Sequence, residues 1–361
     1  MDLLSLAKNV TRRTGKPVTD LLTATRILGT PRMPLLLALS KGFVEPVYRA
    51  AFLSSAAGSG ILRRLAERPC DPGSLAEALQ IGERDTPRLR TWLEMGVTLG
   101  DLGRSDGRYR LRSRAAKALA QTRYDTVAAA LEEVLRFHVP VLLDGPRMLR
   151  EGRRLSLADQ DGTVIARSSR VVRPLVERAV ARTLDTSRAV RLLEVGCGSG
   201  VHVRYAARLN PRLSALAVDL QPDVADQAAR NVAEWGLTDR VEVRQGDLRT
   251  LDVQPQFDLV TLHNNIYYFP HDERVSALRR ARALLAPGGM LLLTTSCRSG
   301  NSGLEALNLW FEYADFGGPL PHPDELARQL ETAGFRDVRA DRLLPGAPFH
   351  AFTGTRAGVP A

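Results

Sequence analysis

The sequence has little cysteine, almost no lysine and no long apolar run, and each shortage excludes something. Three cysteines in 361 residues, Cys70, Cys197 and Cys297, are too few and too scattered for a disulfide framework or for paired zinc ligands. A reducing compartment fits, and no metal is expected. The longest apolar run near the start, Met33 to Leu39, has seven residues and contains Pro34, against roughly 18–20 needed to cross a bilayer. Met1 to Lys16 mixes Asp2, Lys8, Arg12 and Arg13 with apolar positions and lacks the order of a secretory signal, so a cytoplasmic protein without membrane contact is expected. Of 50 basic residues only four are lysine, Lys8, Lys16, Lys41 and Lys117. The arginines are dispersed, so the net charge of +10 reads as a solvated surface rather than a footprint for a phosphate backbone.

What is present is an ordinary globular composition, 44% hydrophobic and 25% charged, in a length that suggests two domains or three. The periodicity changes character near residue 185. Before it, residues 1 to 55 read as helical segments broken at Pro31, Pro34 and Pro46. Three short helical patterns follow, Gly60 to Arg68, Ser74 to Gln80 and Thr86 to Gly96. Then come Leu99 to Leu102, a turn at Ser105-Asp106-Gly107 and the strand Tyr109-Arg110-Leu111, a winged-helix outline. From Ala115 to Leu184 the chain looks helical, with breaks at Pro140 and Gly145-Pro146 and a polar loop at Asp159 to Gly162. These boundaries divide the chain into residues 1–115, a helical connector 116–184, and 185–361.

The last part alternates strands and helices. Strands are expected at 190–195, 213–220, 240–245, 257–263, 290–296, 336–343 and 348–355, with helices at 201–209, 222–235, 272–285 and 323–333. This is an α/β pattern, a Rossmann-like, doubly wound, mostly parallel seven-stranded sheet, because right-handed crossovers place helices on both faces. In such a sheet the ligand lies beyond the carboxyl ends of the strands. The first strand ends in Gly196-Cys197-Gly198-Ser199-Gly200, whose missing side chains let a ligand approach the main chain. Asp219 ends the second strand nineteen residues after Gly200, where a carboxylate accepts hydrogen bonds from both hydroxyls of a ribose. Val201 stands where a dinucleotide fingerprint places its third glycine or alanine, which weakens a nicotinamide-cofactor reading.

Leu-Leu-Glu-Val-Gly-Cys-Gly-Ser-Gly (192–200), Ala-Val-Asp (217–219), Gln-Gly-Asp-Leu (245–248), Phe-Asp-Leu-Val (257–260) and Leu-Ala-Pro-Gly-Gly (285–289) together resemble the ordered motifs of class I S-adenosylmethionine-dependent methyltransferases. The resemblance implies a cofactor, S-adenosylmethionine, leaving as S-adenosylhomocysteine. It places Gly196, Cys197, Gly198 and Gly200 near the methionine and ribose, and Glu194 near the methionine amine. Asp219, followed by Leu220 and Gln221, would lie at the ribose, Asp247 and Leu248 at the adenine edge, and His263 at the strand tip beside the cofactor. The winged-helix outline ahead of this core resembles small-molecule O-methyltransferases in which the front domain dimerises and closes the substrate pocket. A homodimer and a small aromatic or polyketide-like methyl acceptor are therefore expected, with C- or N-methylation as the alternative. From a different class, a cofactor-sensing or DNA-binding winged-helix protein without turnover also fits the outline.

Methyl transfer is an in-line displacement in which the protein aligns the nucleophile and excludes water. A base for a hydroxyl acceptor is sought after the fourth strand, in His263-Asn264-Asn265-Ile266-Tyr267-Tyr268-Phe269-Pro270-His271. His263, Tyr267, Tyr268 and His271 are the catalytic candidates. The resemblance implies a histidine base a few residues past this strand, just before an acidic pair like Asp272-Glu273, and counting from the strand puts Tyr267 or Tyr268 at that place. A tyrosine, with a pKa near ~10, orients an oxygen better than it takes a proton. The connection Arg298 to Pro323 is expected to form a lid. Its Trp310, Phe311, Glu312 and Tyr313, with Asn264 and Tyr267, are the candidates for acceptor binding.

Overall fold

Asp106 and Gly107 both take positive φ, 51° and 73°, and turn the chain in the two-residue loop that a twisted antiparallel hairpin favours. The hairpin joins β1 (Leu102–Ser105) to β2 (Arg108–Leu111) in the first of two units, whose boundary falls between Gln121 and Thr122. The computed structural model describes residues 32–254 and 256–358. Residues 1–31, with the break expected at Pro31, lie outside the described residues. The breaks expected at Pro34 and Pro46 do not occur. Helix α1 (Arg32–Leu39) runs through Pro34, a π-helical turn follows at Ser40–Val44, and Pro46 opens α2 (Glu45–Gly58). A first helical turn leaves its N–H groups unpaired, so proline costs little there.

Three helices follow before the hairpin: α3 (Ile61–Glu67), α4 (Pro72–Ala78) and α5 (Thr86–Thr98). Asp71 caps α4 by accepting from the Ser74 amide at 3.0 Å. On α5, Leu89 and Leu93 are buried and Trp92 stacks on Phe52 at 4.5 Å. The helix that a winged-helix DNA reader would present thus commits much of its apolar face to the core of its own unit.

Of residues 116–184, read from the sequence as a separate connector, 122–184 belong to the same unit as the large sheet. They form α7 (Asp125–Glu133), a π-helical turn Val134–His138, α8 (Val139–Glu151), α9 (Gly162–Ser168) and α10 (Arg173–Thr183), after α6 (Arg114–Leu119) of the first unit. No break occurs at Gly145-Pro146, since Pro146 lies inside α8. Burial of Val141, Gly145 and Met148 along this helix outweighs the one backbone hydrogen bond that proline removes.

Strands β3 (Arg191–Val195), β4 (Ser214–Asp219), β5 (Val241–Gln245), β6 (Phe257–His263) and β7 (Leu285–Ser296) are parallel. With β8 (Arg336–Arg342) and β9 (Phe349–Thr355) they make one seven-stranded sheet in the order β5-β4-β3-β6-β7-β9-β8, in which β9 is antiparallel to both β7 and β8. Helices α11 (Val201–Leu209), α12 (Pro222–Glu234), α13 (Arg274–Leu284) and α15 (Pro323–Thr332) cover its faces. Alternation along the strands splits the core in two. Leu193, Val195, Val260 and Leu262 join one apolar cluster, and Leu192, Ala215, Leu259 and Leu292 the other. The connection 298–323 is not an open loop. It carries α14 (Ser302–Glu312), whose Trp310 and Phe311 are buried in the first of these clusters.

Candidate active site

Strand order reverses at β3, with β4 on one side and β6 on the other, and a cleft opens at the carboxyl ends of these strands. Gly196 and Gly198 line it with φ of +66° and +55°, a backbone region that side chains rarely enter. The turn is tied down from the next strand. Gly198 N–H donates to Asp219 Oδ2 at 2.9 Å, and Gln221 N–H donates to Asp219 Oδ1 at 3.2 Å. Burial pushes the Asp219 carboxyl up, against the pull of these backbone donors. A carboxylate offers about four lone-pair sites, so two backbone bonds leave capacity for hydroxyl donors in the cleft.

Leu220, Gln221, Asp247, Leu248, His263, Asn264, Tyr267 and Tyr268 also line the cleft. Asp247 is engaged by Arg249, whose Nη2 lies 2.7 Å from Oδ2, and these hydrogen bonds outweigh burial and hold its carboxyl down. Asn264, φ +57°, follows β6 in a strained left-handed turn and accepts from Ser296 N–H at 3.2 Å. His263 Nδ1 lies 2.9 Å from Thr294 Oγ1, and burial followed by the neighbouring His202 keeps the ring neutral, well below the usual histidine range. Tyr268 Oη accepts from Gln160 Nε2 at 3.1 Å. Burial raises both tyrosine hydroxyls above their ordinary pKa, so neither is a resting base.

Other candidate residues stand apart from the cleft lining. Glu194 near the end of β3 and Cys197 within the glycine turn are buried, and Gly200 begins α11. His271 is exposed and bound to Glu325, so it does not face the cleft as a catalytic base would. Trp310 lies behind the wall, in contact with Phe311 and Phe316. Phe311 stacks edge-on against Tyr267 and Tyr268 at 4.8 and 5.0 Å and supports them from behind. Glu312 is exposed and Tyr313 packs toward Gly145, so neither they nor Trp310 and Phe311 line the cleft. The physical reason is that α14 spends its aromatic face on the core, which an open lid would have exposed.

The sequence reading missed the roof. Leu157, Gln160, Gly162, Ile165, Ala166 and Ser169 cover the cleft from the segment leading into α9, which Asp161 caps through the Val164 amide. A Cβ at residue 162 would overlap Gln221 Oε1 and lie 2.7 Å from Val224 Cγ2, so this approach requires glycine. Arg167 pairs with Asp125 at 2.6 Å and holds α9 to α7. The polar run Asp159 to Gly162 was the only signal, and it read as a surface loop. Among the described residues no group of three or more His, Cys, Asp or Glu side chains could hold a metal, and no helix is long and apolar enough to cross a membrane.

Comparisons with known proteins agree with this geometry. Residues 192–289 match the family model of a methyltransferase domain. The 3-hydroxy-5-methyl-1-naphthoate 3-O-methyltransferase of Streptomyces sahachiroi is 26% identical over 92% of this chain and 98% of its own length. The demethylspheroidene O-methyltransferase of Rhodobacter capsulatus is 29% identical over 52% of this chain and 46% of its own. Among solved structures, the mitomycin 7-O-methyltransferase MmcR superposes with a TM-score of 0.67 at 21% identity, covering 93% of this chain and all of that one, 100%.

Proposed function

We propose that this chain, a class I S-adenosylmethionine-dependent methyltransferase, methylates a hydroxyl of a small aromatic or polyketide-like metabolite and works as a homodimer. The observation that carries the reading is the glycine turn bound to Asp219 beneath a cleft whose other wall is Tyr267, Tyr268 and Phe269. These residues fit the cofactor: two glycines free of side chains, a carboxylate with spare acceptor capacity, and Leu220 and Leu248 as apolar walls for a flat base. When bound, the cofactor supplies an electrophilic sulfonium methyl group. The protein supplies alignment. Gln160 donates to Tyr268 Oη, which leaves the tyrosine proton free to fix an acceptor oxygen, and the roof at 157–169 excludes water.

Of the candidates that line the cleft, burial raises both tyrosine hydroxyls and makes the neutral ring of His263 a weak base. Positioning therefore carries most of the rate. The same observation favours a second reading, carbon methylation of an electron-rich ring. An L-tyrosine C(3)-methyltransferase of Streptomyces lavendulae is 29% identical over 34% of this chain.

Support for the dimer comes from the first unit, where Leu35, Leu36, Phe43, Val47 and Tyr48 are each more than half exposed along α1, the π-helical turn and α2. Sedimentation velocity should give a dimer that Phe43→Asp converts to monomer. The activity is tested by incubating the protein and methyl-labelled cofactor with 3-hydroxy-5-methyl-1-naphthoate and with bacterial metabolite extracts. A labelled methoxy product is expected. A label on carbon selects the second reading, and no labelled product overturns both.

A further inference from the structure

At the carboxyl ends of β3, β6 and β7 one face of the sheet changes from apolar to polar. Leu192 is paired with Leu259 in the core, and two residues later Glu194 is paired with Thr261, then His263 with Thr294. His202, from α11, closes this layer with its ring 5.1 Å from that of His263. Glu194 Oε1, Thr261 Oγ1, His263 Nε2 and His202 Nδ1 are all buried without a hydrogen-bond partner among the described residues. Single atoms of this kind occur in any folded protein, but four in one layer beside the cleft mark the place of a missing polar group.

The surroundings say which charge that group has. Glu194 is faced by Asp219 from β4 and by Cys197 from the glycine turn and is paired with Thr261 of β6, while His263 lies two residues further along β6 on the same face and His202 of α11 packs on His263. Arg170 and Arg173 bear on His202 from the segment before β3. Glu194 makes no salt bridge among the described residues. Burial, then Asp219, pushes its carboxyl up to about 8. Burial, then Arg173 and Arg170, pushes His202 down to about 4, and His263 is depressed as well. At neutral pH the layer is uncharged, rich in acceptors and without a cation.

We infer that the ammonium group of the cofactor's methionyl end completes this layer and that its arrival displaces the proton of Glu194 into solvent. The inference rests on the methyltransferase reading and deepens it. The resemblance alone places Glu194 near the amine, and the proton release is what the orphaned layer adds. The balance is simple: a neutral carboxylic acid and an ammonium become a carboxylate–ammonium pair plus one solvated proton, with no bond to carbon made or broken. Affinity for any ligand carrying the ammonium should then rise about tenfold per pH unit between pH 5.5 and 7. The histidines do not compete, because they stay neutral through that range.

The test is calorimetric titration of the full chain with S-adenosylhomocysteine in phosphate and in Tris at pH 7, where the difference in heat counts protons. Release of close to one proton is expected. With 5′-methylthioadenosine, which lacks the amino-acid end, and with Glu194→Gln, release should vanish. Binding of S-adenosylhomocysteine without release, with uptake, or with release that persists in Glu194→Gln overturns the inference and leaves the methyltransferase reading standing. If neither nucleoside binds the native chain, that reading itself falls. Should Glu194→Gln fail to fold, the native chain decides alone: a pH-independent affinity for S-adenosylhomocysteine from pH 5.5 to 7 refutes the coupling, and a rise absent with 5′-methylthioadenosine supports it.

Discussion

The side-chain amide of Asn265 donates to the Val195 carbonyl at 2.6 Å and so occupies the space beside Gly196 where a side chain would begin. A Cβ at residue 196 would meet Asn265 Nδ2 well inside contact distance and lie 3.3 Å from Cγ. The backbone there, φ +66°, adds about 1–2 kcal/mol for any residue other than glycine. Gly196→Ala should therefore weaken S-adenosylhomocysteine about tenfold or more by calorimetry. The double variant Gly196→Ala, Asn265→Ala should recover part of the loss, since it relieves the clash and leaves the backbone strain.

Asp219 joins two functions, and graded substitution separates them. Asp219→Asn keeps an oxygen that accepts from Gly198 N–H or Gln221 N–H, while Asp219→Ala loses both tethers. Hydrogen bonds to a charged group contribute about 1.5–3 kcal/mol each. Affinity for S-adenosylhomocysteine should fall about tenfold in Asp219→Asn and about a hundredfold in Asp219→Ala. Equal losses in the two variants would contradict the role of the second acceptor.

The glycine turn and Asp219 were legible in sequence because they end consecutive strands, and strand ends are fixed by apolar runs that stop, whereas the Asn265 contact was not. The roof was not legible. Gln160, Gly162 and Ile165 carry no motif, and their meaning comes from the approach of residue 162 to Gln221, a contact between segments about sixty residues apart. The aromatics of α14 failed in the opposite direction. Trp310 and Phe311 belong to a helix whose register turns them into the core, which composition alone does not distinguish from a pocket wall. The proline breaks at Pro34, Pro46 and Pro146 failed because a helix start or a well-packed helix absorbs the missing N–H.

Arg274 is fully buried and, among the described residues, no carboxylate is bonded to it. Its Nε donates to the Phe269 carbonyl at 3.2 Å and its Nη2 to the Pro319 carbonyl at 2.5 Å, which ties the wall after β6 to the loop before α15. Burial brings its pKa down to about 10, still charged at neutral pH. Arg274→Leu should cost about 2–5 kcal/mol, because two carbonyls lose charged donors in a dry site. Urea denaturation would show the loss as a lower midpoint with an unchanged slope.

Three histidines that burial depresses most strongly steepen the acid limb of stability, and burial lowers His350 as well. Burial pushes His138 and, with Arg173 and Arg170, His202 down to about 4, and it depresses His263 further below its ordinary value. Each takes up a proton on unfolding anywhere between the folded value and the unfolded one near ~6.5, so each contributes stability present above ~6.5 and lost as pH falls toward the folded pKa. Glu194 acts oppositely. Its raised pKa of about 8 makes the folded state hold a proton that the unfolded state releases above ~4.5, so its contribution is lost as pH rises through 8. Between pH ~6 and ~4.5 these three histidines outweigh the Glu194 carboxyl, and together these four groups make stability fall on acidification with a net slope of up to about two protons, or about 2.7 kcal/mol per pH unit. Thermal melts of the native chain, His138→Gln and Glu194→Gln across this range check the signs. His138→Gln should remove about half of this net slope and Glu194→Gln should steepen it, and a flatter limb in Glu194→Gln would mean that its carboxyl is ionised in the folded protein.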